Sequence, residues 1–342
     1  MRILAVDIGF GYCKATDGRR SQAFKSIVGE ANPAAYSESL LPGQEQAARH
    51  FDIGGESVFV GELAETQSRG RGFTLDPAQF LSQYAKTLGL AALVPFVDHS
   101  DPVRLVTGLP ISLFRRHREA LANSLIGRHQ IGVYNAAGQR EEKTLYVEKV
   151  RVIPQPFGSL YNLMLDSAGR VSQQRYTSEK IGVIDVGFRT CDFAIADKTR
   201  YSERGSQSTD SGICLAYDAI ANALREKSGV QVELYRLYEA INAGSIKIRG
   251  ERHDLGPLVQ RAFSQLAGRI ATEANRLWAE DWDIDTIVLS GGGGAVLAPY
   301  LKGQVAGEVL PVPADQDARL NNVLGYWKYG NHVWGQAQAL SA

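Results

Sequence analysis

The sequence of 342 residues has little of what most often betrays a chemistry. Its three cysteines, Cys13, Cys191 and Cys214, are odd in number and widely spaced, which excludes a disulfide framework or a cysteine-based zinc site and predicts a reducing, cytoplasmic setting. Its six histidines form no H-E-x-x-H and no paired ligand spacing, which speaks against a zinc hydrolase. No G-x-S-x-G elbow occurs, no G-x-x-x-x-G-K-[ST] loop, and no G-x-G-x-x-G opening a helix after the first strand, so serine hydrolase, P-loop and Rossmann readings fall. Thirty-seven basic residues balance thirty-seven acidic ones, so no global field draws the chain to nucleic acid or an acidic membrane. The longest apolar run, LGLAALVPFV at residues 88–97, is too short to cross a bilayer and contains Pro95. Met1 and Arg2 lead straight into a strand pattern, so no leader is expected. No low-complexity linker divides the chain.

What is present is a repeat. ILAVDIGFGYCK (residues 3–14) aligned without gaps over IGVIDVGFRTCD (residues 181–192) gives five identities in register: Ile, Asp, Gly, Phe and Cys. Both segments read as a hydrophobic strand, an Asp at its tip (Asp7, Asp185), a glycine-containing turn and a second short strand. The plainer reading, that D-x-G merely dresses a turn, remains beside it. A glycine turn between strands can aim backbone N–H groups at one spot and lets a phosphate approach, which accounts for Gly9 and Gly11. Carboxylate and phosphate repel unless a hydrated divalent cation lies between them, so two Asp-tipped turns imply a magnesium nucleotide held between two halves. Lys14 can return positive charge to the phosphates. A third cluster, IDTIVLSGGGGAVLAPYL, reads as a strand, four glycines (Gly291 to Gly294) and a helix from Ala295, a joint where a ligand can touch backbone.

These motifs carry a resemblance. DIGFGYCKA resembles the first phosphate loop of actin, with its D-x-G-x-G-x-C-K-A spacing, and VIDVGFRTCD resembles the second phosphate loop of the ParM/StbA plasmid-segregation actins. IVLSGGGG is similar to the adenosine motif, RVIPQPFGSLYNL to the first segment connecting the two domains, and RLNNVLGYWKY to the second. LVTGLPISLF, from Leu105, is similar to a strand-to-helix passage of the ParM-like branch. The resemblance implies an α/β, actin-like (ribonuclease-H-like) fold with two related domains around a nucleotide cleft. It places domain I at 1–158 with an outer insertion at about 30–100, domain II at 159–325, and a returning C-terminal segment at 326–342.

The resemblance also implies site roles. Asp7 and Asp185 would bind Mg2+ through water. Gly9, Phe10, Gly11, Tyr12 and Lys14 would hold the phosphates of ATP, and Gly187, Arg189 and Thr190 would close the other side. Gly291, Gly292 and Gly293 would lie against the nucleoside. Gln155 falls where actin has the glutamine that positions the attacking water, and an amide there would orient rather than act as base; it is equally readable as a polar residue in a proline-flanked turn. Phe188 and Arg189 stand where relatives carry small residues, so that loop would be stiffer or would meet phosphate through a guanidinium. Asp192, opposite Lys14 in the repeat, could join the magnesium shell; the start of a solvated strand edge is the preferred reading. Cys13 and Cys191 read as packed strand residues.

Elsewhere, residues 51–64 read as strands, Asp76 and Pro77 as N-cap and first turn of a helix to about Leu90, and residues 110–127 as a helix bearing the dense basic cluster RRHRE, a solvated face. Residues 211–227, ended by Gly229, and 257–279 read as helices. SRGRG at 68–72 reads as a mobile loop, and 157–160 as a hinge. The function expected is an ATP-dependent filament-forming protein that moves plasmid DNA through an adaptor bound to centromere-like DNA, without strong direct nucleic-acid or membrane binding. The alternatives are a small-molecule kinase of the same superfamily, for which Asp192 or Asp210 could serve as base, and a non-polymerising ATP-dependent regulator.

Overall fold

The computed structural model describes residues 2–31, 49–97, 101–135, 138–311, 313 and 316–335. The chain divides into two compact units, Met1–Gln173 with Arg319–Ala342, and Gln174–Ala318. The anticipated outer insertion and C-terminal segment fall partly on residues 32–48, 98–100 and 336–342, outside the described residues.

The two units share one wiring. In the first, the strands run in the order Ser21–Lys25, Tyr12–Thr16, Arg2–Ile8, Pro102–Leu109, Arg140–Pro154, continuing through Gly127–Tyr134, His50–Ile53, Glu56–Val60 and Val28–Glu30 to Arg71–Gly72. In the second the order is Arg200–Thr209, Cys191–Asp197, Lys180–Val186, Thr286–Ser290, Val309–Pro311. Each begins as an antiparallel three-strand meander, whose first strand then pairs in parallel with a later one. Buried on both faces, Arg2–Ile8 and Lys180–Val186 read as almost unbroken apolar runs, as inner strands of such sheets do.

Helices cover the sheets. Asp76 caps its helix by accepting from the Gln79 N–H at 2.7 Å, and after a π-helical stretch at Phe80–Tyr84 the helix continues as Ala85–Leu93. That last segment packs on Arg2–Ile8 as part of the main core, with Leu88, Leu90 and Leu93 buried. Ile111–Leu125, Cys214–Ser228 and Gly256–Leu277 follow the expected apolar spacing, and Gly229 closes Cys214–Ser228 in the left-handed region at φ 69°. Residues 62–64, expected as strand, instead open the helix Glu62–Gln67. Arg71–Gly72 pairs as a short strand and the Ser68 hydroxyl donates to the Glu30 carbonyl at 3.0 Å, so part of the expected mobile loop is tied down.

The hinge reading at 157–160 is corrected. These residues open the helix Phe157–Met164, which packs against the helix Asn321–Gly330 inside the first unit, and the chain crosses to the second unit at 173/174 and returns at 318/319. Gly158 and Gly325 let the two helices nearly touch: a Cβ at Gly325 would overlap the Gly158 carbonyl oxygen. The Ser159 hydroxyl donates to Asn322 Oδ1 at 2.6 Å, Asn162 Nδ2 to Asn321 Oδ1 at 2.6 Å, and the fully buried Tyr326 joins Ala5, Val106, Ile153 and Val323 in the core beneath. Gly325→Ala is expected to destabilise the first unit by about 2–4 kcal/mol, since backbone rather than a flexible side chain occupies the space. Thermal denaturation checks this; an unchanged midpoint would mean that the helix pair yields.

Candidate functional site

The aspartates emerge from the strands as the repeat requires. Asp7 lies directly opposite Lys14 across its hairpin, and Asp185 directly opposite Asp192 across the other, so residue n meets residue n + 7 in both. Both turns close identically: the Gly9 N–H donates to the Tyr12 carbonyl at 3.2 Å and the Gly187 N–H to the Thr190 carbonyl at 2.9 Å. This corrects the account of Gly9 as a free N–H for phosphate. Its glycine is required because a Cβ would come within 2.9 Å of the Tyr12 carbonyl oxygen.

Other turn carbonyls, which would repel an anion, are also engaged. The Ser26 N–H donates to the Gly11 carbonyl at 3.0 Å and the Ser26 hydroxyl to the Gly9 carbonyl at 2.6 Å. In the second unit the N–H groups of Gly212, Ile213 and Cys214 take the carbonyls of Arg189, Gly187 and Phe188 at 3.1, 3.1 and 2.8 Å. A Cβ at Gly212 would strike that loop's backbone. Ser26 and Gly212 thus shape the two turns, and neither carries a local sequence signal, because the contacts span non-adjacent segments.

In the first unit Asp7 is only 2% exposed. Lys14 Nζ binds its Oδ2 at 2.8 Å, and Gln155 Nε2 approaches its Oδ1 at 3.4 Å from the turn between Arg140–Pro154 and Phe157–Met164. Gln155 therefore stands beside the first acidic tip, with its own N–H tied to the Leu109 carbonyl at 2.8 Å. Phe10 is buried and stacks on Phe80 at 4.4 Å, which leaves only its backbone for a ligand. Tyr12 lies under the Arg319 guanidinium at 4.9 Å; burial raises its phenol above the ordinary range, against the lowering influence of Arg319 and Lys25.

In the second unit Asp185 and Asp192 are each 2% exposed. The preference for a solvated strand edge at Asp192 is overturned: its carboxylate is buried and accepts the hydroxyls of Ser208 and, at 3.2 Å, Thr190. Two buried carboxylates in direct register favour a cation or a shared proton, and an all-oxygen donor set is the hard chemistry that suits Mg2+. Phe188 packs edge-on against Tyr217 and Tyr238 at 5.9 and 5.2 Å, and Arg189 pairs with Asp210 at 3.0 Å. The glycine run does not precede a helix but opens it: Gly291–Leu301 begins on Gly291 itself, at φ 80°. A Cβ at Gly291 would overlap the Val186 carbonyl oxygen, and one at Gly293 would lie 2.8 Å from Val186 Cγ1, so glycine lets the helix N-terminus press against the acidic strand tip. Gly292 shares that first turn. Among the described residues no group of three or more His, Cys, Asp or Glu side chains is placed to hold a metal directly, and no helix is long and apolar enough to cross a membrane.

Cys13 and Cys191 are buried, as read, and Cys214 is buried too. Burial pushes the thiols of Cys13 and Cys191 well up and that of Cys214 up to about 11. The thiolate is therefore scarce at neutral pH. Native protein at pH 8 is expected to react slowly with a chromogenic disulfide reagent and to release its full thiol complement only when unfolded; one fast thiol would contradict the packing.

Two domain models match the sequence: the actin-like proteins N-terminal domain over residues 5–158, and the archaeal actin homologue MreB-like C-terminal domain over residues 183–303. Among solved structures, a 15-stranded ParM filament from Clostridium botulinum is 23% identical, over 96% of this chain and 98% of that one, with a TM-score of 0.78. An archaeal actin homologue in complex with ADP is 18% identical over 96% and 98%, TM-score 0.74, and Bacillus thuringiensis ParM with ATP is 16% identical over 99% of each chain, TM-score 0.70. No curated protein matches the sequence.

Proposed function

We propose that this chain, which belongs to the actin-like proteins and has their fold, is a magnesium-dependent ATPase whose nucleotide state controls assembly into filaments. The observation that carries the reading is the duplicated acidic hairpin: two buried aspartates, each at the tip of an inner strand, each opposite residue n + 7, each beside a turn closed by the same glycine hydrogen bond. Relatives of the same fold were determined with ADP or ATP, and one as a filament.

In this reading Asp7 and Asp185 would hold Mg2+ through water, with Asp192 beside Asp185, and the ion would supply positive charge to offset that of the phosphates. Lys14, anchored on Asp7, presents its ammonium to the β and γ phosphates, and the turns at 9–12 and 187–190 embrace them with their carbonyls tied back. Gln155 orients the attacking water from beside Asp7. The helix N-terminus at Gly291 to Gly293 receives the nucleoside side of the ligand. Loss of the γ phosphate shifts the balance between two conformations and with it the contacts between subunits. The cargo is DNA, a plasmid coupled through an adaptor bound to centromere-like sequence, and the setting is cytoplasmic. A small-molecule kinase would need a carboxylate base, and of the two considered, Asp192 accepts Thr190 and Ser208 while Asp210 holds Arg189.

Light scattering and sedimentation after addition of ATP and Mg2+ test the reading. Particles that pellet only with nucleotide are the expected result; turnover without assembly, accelerated only by a metabolite, would favour the kinase. Asp185→Asn is expected to lower Mg2+-dependent turnover by about two orders of magnitude with the circular dichroism spectrum unchanged. Retention of full turnover would remove that residue from the site. Gln155→Ala should reduce kcat by roughly tenfold or more while nucleotide affinity holds, and an unaltered kcat would return Gln155 to a purely structural turn.

A further inference from the structure

We infer that Trp282, with the acidic turn that carries it, is a self-docking knob whose seat is the arginine cluster around Arg116 and Arg118 on a second copy of this chain. The inference rests on the self-association proposed above and names its surface.

Among the described residues, Trp282 is 88% exposed, against 45% for the next most exposed large apolar residue, Ile126. An exposed tryptophan on a loose loop would mean little; this one is braced. Its turn joins Gly256–Leu277 to Thr286–Ser290. At its base the Asp281 carboxylate accepts Lys180 Nζ and Arg204 Nη2, each at 2.7 Å. Arg204 Nη1 binds Glu280 at 2.8 Å, Lys180 Nζ binds Asp283 at 2.6 Å, and Asp285 accepts the Lys180 N–H at 2.8 Å. Backbone bonds from Asp281 to the Trp278 carbonyl and from Ile284 to the Asp281 carbonyl, at 2.9 and 3.2 Å, fix the turn. Trp278, one turn earlier, is buried and donates its indole N–H to the Gly205 carbonyl at 2.9 Å. Two tryptophans four residues apart thus have opposite fates, one locked in the core and the other held out in water on a stiff support. A rigid aromatic presented in this way loses little conformational entropy on docking, which is what marks the dominant anchors of protein interfaces.

The charge around the knob selects its occupant. Glu280, Asp281, Asp283 and Asp285 outnumber Lys180 and Arg204, leaving the rim negative by two. An indole face beside carboxylates is a receptor for arginine, which stacks on the ring and pairs with the rim at once. The chain carries its own ligand of that kind: RRHR at residues 115–118 on the helix Ile111–Leu125, with Arg116 and Arg118 exposed, Arg118 lying 5.5 Å from the centre of the Phe114 ring and in a long 3.8 Å contact with Glu119. Knob and seat are different surfaces, so the contact is heterologous and adds subunits head to tail, as growth of a polymer requires.

The test compares wild type, Trp282→Ala and Arg116→Glu/Arg118→Glu by sedimentation across protein concentrations with ATP and Mg2+, with turnover read below the assembly threshold. Both variants are expected to raise the threshold at least about tenfold while unassembled turnover stays as in wild type. Pelleting of Trp282→Ala at the wild-type threshold overturns this contact and leaves self-association standing; no pelleting by wild type overturns self-association and this contact together. A second measurement fixes the seat. Because the native cysteines are all buried, a short bismaleimide should join Glu280→Cys chains to Arg116→Cys chains when ATP is present. Assembled protein that yields no such mixed dimer overturns the assignment of the arginine seat.

Discussion

A carboxylate buried at the end of an inner strand imposes conditions on everything around it, because it must find a partner for its charge and the chain must turn within a few residues to supply one. In both units a hydrogen bond from a glycine N–H to the carbonyl three residues on makes the turn; the returning strand then brings Asp7 its charge partner, Lys14, in the first unit and brings Asp185 a second carboxylate, Asp192, in the other. The requirement for glycine follows from that turn, and the lysine opposite Asp7 answers the constraint in the first unit. So does the choice of more distant groups, since turn carbonyls left without donors would lie beside the same negative charge; Ser26 and the residues before Cys214–Ser228 supply those donors.

What could be read in the sequence was what these local conditions write into contiguous residues. The repeat, the inner strands, the Asp76 cap and the Gly229 stop are short-range features, and each stands where its spacing put it. What could not be read depends on contacts between segments far apart. Gly291 to Gly294 look like a flexible joint, since glycine is a poor helix former; only the proximity of Val186 explains a helix that begins on glycine. Asp192 looks like a polar strand edge until the Arg200–Thr209 strand covers it and brings Ser208 to its carboxylate. The segment at 157–160 looks like a hinge until the helix Asn321–Gly330, more than 150 residues later, packs on it.

The repeat is also informative where it departs from itself. At equivalent positions the first hairpin has Lys14 and the second Asp192, so one backbone device carries two opposite electrostatic contents. The Asp7–Lys14 tip is formally neutral and offers an ammonium, with the amide of Gln155 close by. The Asp185–Asp192 tip is formally doubly negative and oxygen-lined, with two hydroxyls committed to Asp192. A ligand of a single sign would suit one tip and be repelled by the other. The first tip can offer positive charge to an anionic group, and the second can offer negative charge to a hard cation or its waters. The duplicated geometry sets where each carboxylate stands, and the exchange of lysine for aspartate at a single register position sets the sign of the charge that each tip offers.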